Sequence, residues 1–136
     1  MATDVDWKSL RRKATEVASN AYAPYSGLSV GAAALVDDRR IVTGCNVENV
    51  SYGLGLCAEC ALVCALHSGG GGRLVALSCV AVDGELLMPC GRCRQVIYEF
   101  GGPSLMVDTP TGPQTMTWVL PAAFGPEHLP VDGGTS

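Results

Sequence analysis

The chain reads as an α/β layered domain built on a mixed sheet, and three observations predict this. Apolar residues recur at three- and four-residue spacing over residues 6–23, and a nearly unbroken apolar run fills residues 74–82. The segments alternate as helix, β-hairpin, helix, strand, helix, strand. With 136 residues, 48% of them hydrophobic and 16% charged, the chain has the material for one core and none of the composition of a disordered polymer. One domain over residues 1–124 is expected, followed by a flexible Pro- and Gly-rich tail over 125–136.

The first helix rests on Trp7, Leu10, Ala14, Val17, Ala18 and Ala21, with Pro24 blocking its continuation. Pro24-Tyr25-Ser26-Gly27 is turn chemistry. Small apolar residues then fill 28–37, and a charged turn, Asp37-Asp38-Arg39-Arg40, leads into 41–46; a two-stranded hairpin fits. Residues 46–56 mix amides, a carboxylate and glycines, a composition suited to a ligand-facing loop. A second helix over 57–67 ends at Gly69-Gly70-Gly71-Gly72, which reads as a mobile connector. The run 74–82 has no polar alternation, the mark of a central strand covered on both faces. A third helix over 92–100 stops at Gly101-Gly102, and short strands are expected at 105–107 and 115–118.

Nine Lys and Arg against 13 Asp and Glu give a net charge of −4, with no basic run able to track a phosphate backbone. Long nucleic acid is therefore not an expected partner. Residues 1–8 lack an apolar export segment and no run of 18 apolar residues occurs, so a cytoplasmic protein without membrane contact is expected. Seven cysteines, an odd number, disfavour a disulfide framework. Cys45, Cys64 and Cys79 lie in apolar runs and read as small buried hydrophobes.

The remaining cysteines carry chemistry. Cys57-Ala58-Glu59 opens one helix and Pro89-Cys90-Gly91-Arg92-Cys93 opens another. Cys57, Cys90 and Cys93 offer three soft thiolates for one Zn²⁺, leaving a fourth tetrahedral position for water. Glu59 is placed to shuttle that water's proton. This is the signature of zinc nucleobase deaminases in its three-cysteine form. A helix N-terminus favours thiolate over thiol, which suits Cys57 and Cys90. Three thiolates on one Zn²⁺ still leave a net negative charge, and Arg92 and Arg94 are candidates to offset it. The competing reading is a closed Cys₄ site, because Cys57-x-x-Cys60 and Cys90-x-x-Cys93 form a CxxC pair. Two features weigh against it: the 29 residues of 61–89 exceed the usual spacing of roughly 15–20, and a Cys₄ site gives Glu59 no task.

The chain resembles the short, homotetrameric cytidine deaminases from about Trp7 to Phe124. The resemblance rests on Pro24-Tyr25-Ser26, Val30-Gly31-Ala32-Ala33, Asn46-x-Glu48-Asn49-x-Ser51-Tyr52-Gly53-Leu54, Cys57-Ala58-Glu59, and Pro89-Cys90-Gly91-Arg92-Cys93-Arg94-Gln95. It implies a three-layer α/β/α fold with a mixed five-stranded sheet. It also implies one Zn²⁺ per subunit and hydrolytic deamination of cytidine and 2′-deoxycytidine in pyrimidine salvage. Asn46 and Glu48 would hold the ribose 3′-hydroxyl, Ala58 would present its N–H and Pro89 its carbonyl. Tyr52 and Phe124 would reach a neighbouring subunit's site in a homotetramer with shared active sites. Leu28 departs from the family's Phe at the base, and Cys60 from an Arg directed at the thiolates. Rivals are a deaminase of a cytosine-containing antibiotic such as blasticidin S, which the Asn46-x-Glu48 stretch disfavours, and a noncatalytic zinc module.

Overall fold

The computed structural model describes residues 4–129. Helix α1 spans Trp7–Ala18, and its first turn is closed by the Asp6 side chain, which accepts from the Ser9 N–H at 3.0 Å. It stops short of the expected Ala23. Tyr22 pairs instead with the loop after the hairpin, its N–H donating to Asn46 O and its carbonyl accepting from Glu48 N. The Ser19 hydroxyl competes for the helix's own carbonyl at Glu16.

The strands β1 (Val30–Val36), β2 (Ile41–Cys45), β3 (Leu74–Ala81), β4 (Met106–Val107) and β5 (Gln114–Thr115) form one mixed sheet in the order β2-β1-β3-β4-β5. Both β2 and β3 run antiparallel to β1, and β4 runs parallel to β3. Side chains alternate across this sheet. Ala33, Ala76 and Val80 face α1 through Leu10 and Ala14, while Ala32, Ala34 and Leu77 face helices α2 (Ala58–Ser68) and α3 (Gly91–Gly101) through Leu62, Leu66 and Ile97. Helix, sheet and helix layers result, as expected.

Two glycines set the spacing between layers. A Cβ on Gly31 would lie 2.0 Å from the Ala14 carbonyl oxygen of α1, and one on Gly44 would lie 2.4 Å from the Leu62 nitrogen of α2. Helix backbone therefore rests directly on strand backbone at both positions. Beside the middle of β3, the buried Asp108 carboxylate receives Arg11 Nε at 2.7 Å and Nη2 at 3.0 Å, with the Ser78 hydroxyl at 2.9 Å, tying α1 to the sheet.

Several expectations are corrected. Residues 116–118 are not strand: after Gln114–Thr115 the chain turns into a short helix α4, Met116–Val119. Strand alternation would bury Met116 together with Trp118, whereas the core takes Met116 and Val119, and Trp118 is exposed. The glycine run is fastened by Arg40, which donates to the carbonyls of Gly69 and Gly71. Cys64 is exposed on α2, and of the three cysteines read as core only Cys79 is buried. The expected tail begins with a turn at Pro126–His128, where Tyr98 Oη donates to Glu127 at 3.3 Å; residues 130–136 lie outside the described residues.

Candidate metal centre and active-site cavity

Parallel β2 and β3 deliver the chain to the same end of the sheet, where α2 and α3 begin. Ligand sites in α/β sheets gather at such strand ends. Cys57 is the N-cap of α2 and Cys90 the N-cap of α3, with Cys93 one turn further on. The sulfurs of Cys57 and Cys90 lie 3.7 Å apart, and those of Cys57, Cys90 and Cys93 all lie within 4.8 Å of one another. A tetrahedral ion with Zn–S bonds of about 2.3 Å needs sulfurs about 3.8 Å apart, so this donor set fits zinc in both chemistry and spacing. Cys60 approaches Cys93 at 3.9 Å but lies outside that three-sulfur group.

The thiols differ in how readily they ionise. Burial raises Cys90, but the backbone N–H of Cys93 and further donors outweigh it, leaving its pKa below the ordinary thiol value. Burial dominates at Cys57 and pushes its pKa up. At Cys93 burial, then the Glu59 charge, pushes the pKa far up. A divalent cation is what such a crowded set needs to become thiolate throughout.

Beside the sulfurs opens a cavity of about 370 Å³ whose lining includes Leu28, Asn46, Glu48, Ala58 and Glu59. Glu59 is only 3% exposed and enters from the first turn of α2. An adjoining cavity of about 430 Å³ shares Ser26, Asn46, Glu48 and Cys57 and adds Tyr25 and Tyr52.

The other expected site residues divide. Asn46 spans the start of β1: its Nδ2 donates to Leu28 O and its Oδ1 accepts from Val30 N, both at 2.8 Å. Glu48 accepts from the backbone N–H groups of Tyr25 at 2.9 Å and Ser26 at 3.1 Å, and from the Ser26 hydroxyl. That hydroxyl bond, above all, holds the Glu48 carboxyl below the usual carboxylate range. Pro89 is buried and its carbonyl accepts Arg94 Nε at 2.8 Å. Tyr52, 80% exposed, lines only the adjoining cavity, and Phe124 stacks on His128 away from both.

The structure separates the two arginines. Arg94 spends its guanidinium on the carbonyls of Pro89 and Val119. Arg92 donates to Gly55 O at 3.1 Å, and the nearby sulfurs of Cys60 and Cys57 raise its pKa. Sequence reasoning gave no site role to Ser26, read as turn chemistry and as part of the family pattern, or to Cys79, Leu87 and Met88, which line the cavity. Nothing in an apolar strand run marks which residue meets a cavity.

Residues 5–109 match the family described as the cytidine and deoxycytidylate deaminase zinc-binding region. The chain belongs to this family. It is 65% identical over 127 residues to a cytidine deaminase of Mycobacterium tuberculosis, covering 93% of this chain and 96% of that protein. Among solved structures, it resembles cytidine deaminase from the same organism with a TM-score of 0.88 and 66% identity, covering 90% of this chain and 99% of the other. It also resembles cytidine deaminase from Mycobacterium leprae with a TM-score of 0.86 and 57% identity, covering 87% and 99% respectively. As a member of the zinc-binding deaminase family, the chain presents Cys57, Cys90 and Cys93 as the group able to hold the ion.

Proposed function

We propose that this chain is a zinc-dependent cytidine deaminase, converting cytidine and 2′-deoxycytidine with water to uridine and 2′-deoxyuridine and ammonia. The observation that carries the reading is the three-sulfur group at the edge of a cavity into which a nearly buried Glu59 projects. In this reading Cys57, Cys90 and Cys93 hold one Zn²⁺, which supplies a Lewis acid that makes water nucleophilic at neutral pH. Glu59 takes one proton from the attacking water and gives it to the ring nitrogen, then takes the second proton from the hydroxyl now on the carbon and gives it to the departing amine as the C–N bond breaks and the carbonyl forms. The Ala58 N–H and Pro89 carbonyl orient the base, Leu28 packs against it, and Asn46 with Glu48 receives the ribose. Arg92 offsets the thiolate charge.

The exposed apolar side chains of Tyr25, Leu28, Tyr52 and Leu56 line these cavities, Val50 and Leu54 of the same loop are exposed as well, and such a surface on a chain of this size calls for a partner. A homotetramer supplies one, with Tyr52 and Phe124 completing a neighbour's site. The catalytic domain takes in residues 1–124. Among the described residues no helix is long and apolar enough to cross a membrane, and we place the enzyme in the cytoplasm. The test follows conversion of cytidine to uridine, with blasticidin S beside it and metal analysis of the same sample. One zinc per chain and turnover of cytidine alone is the expected result.

A further inference from the structure

The Glu48 carboxylate is held from three sides by one turn of chain. Its Oε1 accepts two backbone N–H groups, from Tyr25 and Ser26, and its Oε2 accepts the Ser26 hydroxyl. A carboxylate offers about four acceptor positions, so Oε1 is filled and Oε2 keeps one. The Ser26 oxygen meanwhile accepts the Leu28 N–H at 3.0 Å, so its only proton is committed to Glu48. Leu28 in turn is held by Asn46 Nδ2 at its carbonyl. A single hydroxyl thus bridges the carboxylate to the backbone of Leu28, which lines the same cavity, and Ser26 borders both cavities.

We propose that Ser26 is a positioning residue for sugar recognition, one that fixes the rotation of the Glu48 carboxylate so that the remaining acceptor position of Oε2 is presented to the 3′-hydroxyl of the nucleoside. The inference rests on the reading of Glu48 as the ribose-binding group. It assigns Ser26 no contact with reacting atoms. Without the hydroxyl, Oε1 stays bound to the turn but Oε2 is free to swing, and the alcohol must pay for ordering it. The loss then falls on binding of substrates that carry a 3′-hydroxyl and hardly on those that lack one. Ser26 is exposed, so its truncation opens no cavity in the core.

The test compares kcat/KM for 2′-deoxycytidine and 2′,3′-dideoxycytidine, which differ only at the 3′-hydroxyl, in the zinc-loaded wild type, Ser26→Ala, Ser26→Thr and Glu48→Ala. Zinc content and thermal midpoint are measured for each. Ser26→Ala should lower the ratio of the two values about tenfold, mostly through KM, and Ser26→Thr, which keeps the hydroxyl, should restore it. A wild-type ratio in Ser26→Ala, or equal losses for both substrates, overturns the role of Ser26 while a collapsed ratio in Glu48→Ala leaves the ribose site standing. A Glu48→Ala ratio equal to that of the wild type removes the ribose site itself and the Ser26 proposal with it.

Discussion

Cys57 and Cys90, 33 positions apart in the chain, bring their sulfurs to 3.7 Å of each other. The cause is topological. Each cysteine caps a helix that follows a strand, and the two strands point the same way across an antiparallel partner. Two helix N-termini, each with a partial positive charge, therefore meet at one point, which offsets part of the burial that pushes the Cys57 thiol up and leaves a divalent cation to complete ionisation of the set.

Glu59 lines the cavity beside these sulfurs without belonging to the three-sulfur group. Replacing it by Gln keeps the shape and removes the base. Glu59→Gln should retain one zinc per chain by metal analysis and lose about 10²–10⁴-fold in kcat. Unchanged turnover in that variant would refute the shuttle role.

The arginines beside the cysteines should respond differently to truncation. Arg92→Ala removes the positive charge nearest the sulfurs of Cys60 and Cys57, and zinc affinity measured by chelator competition should fall about 10–100-fold. Arg94→Ala instead strips hydrogen bonds from the Pro89 and Val119 carbonyls and should cost about 1–3 kcal/mol in urea unfolding. A larger zinc defect in Arg94→Ala than in Arg92→Ala would reverse this assignment.

Gly44 allows α2 to lie on β2 at the height that carries Cys57 and Glu59 to the cavity. Its missing Cβ would meet backbone atoms of Leu62 and Ala58, which have no rotamer by which to retreat. Gly44→Ala should destabilise the fold by about 1–3 kcal/mol and weaken zinc binding as α2 is pushed outward. Wild-type thermal stability in this variant would show that the helix is not seated as described.

The lowered pKa of Glu48 gives a pH dependence of definite sign. Because the folded value lies below the unfolded one, the charged carboxylate and the bonds it accepts are present above the unfolded value and are lost only as pH falls through the lowered folded value. The Ser26 hydroxyl is the first cause of that lowering, so Ser26→Ala should move the Glu48 titration to higher pH. Carbon NMR of the Glu48 carboxyl, assigned with Glu48→Gln, reads the shift directly; an unmoved midpoint would contradict the bond.

Much of this was legible in the sequence because each signal had a local cause. Pro-Cys-x-x-Cys and Cys-x-Glu reveal ligand chemistry by residue type, and the unbroken run before Asp83 reveals a strand covered on both faces. What stayed hidden depended on distant partners. The end of α1 is decided by Tyr22 pairing with residues 46–48, and the helical turn at Met116 by which of two apolar side chains the core accepts. Ser26 looked like a turn former because nothing in its neighbourhood announces a carboxylate arriving from 22 positions away. Arg94 looked like a partner of sulfur because sequence adjacency to Cys93 says nothing of the carbonyl of Val119.

The run Gly31-Ala32-Ala33-Ala34 fills the middle of β1, with the backbone of α1 lying directly against Gly31. A slab so sparsely upholstered coheres by closeness more than by interlocking bulk, and it has no slack to absorb a larger graft. Attempts to toughen this protein should accordingly leave the middle of the sheet alone and work along its margins, at Trp118, Cys64 and the outer side of α1.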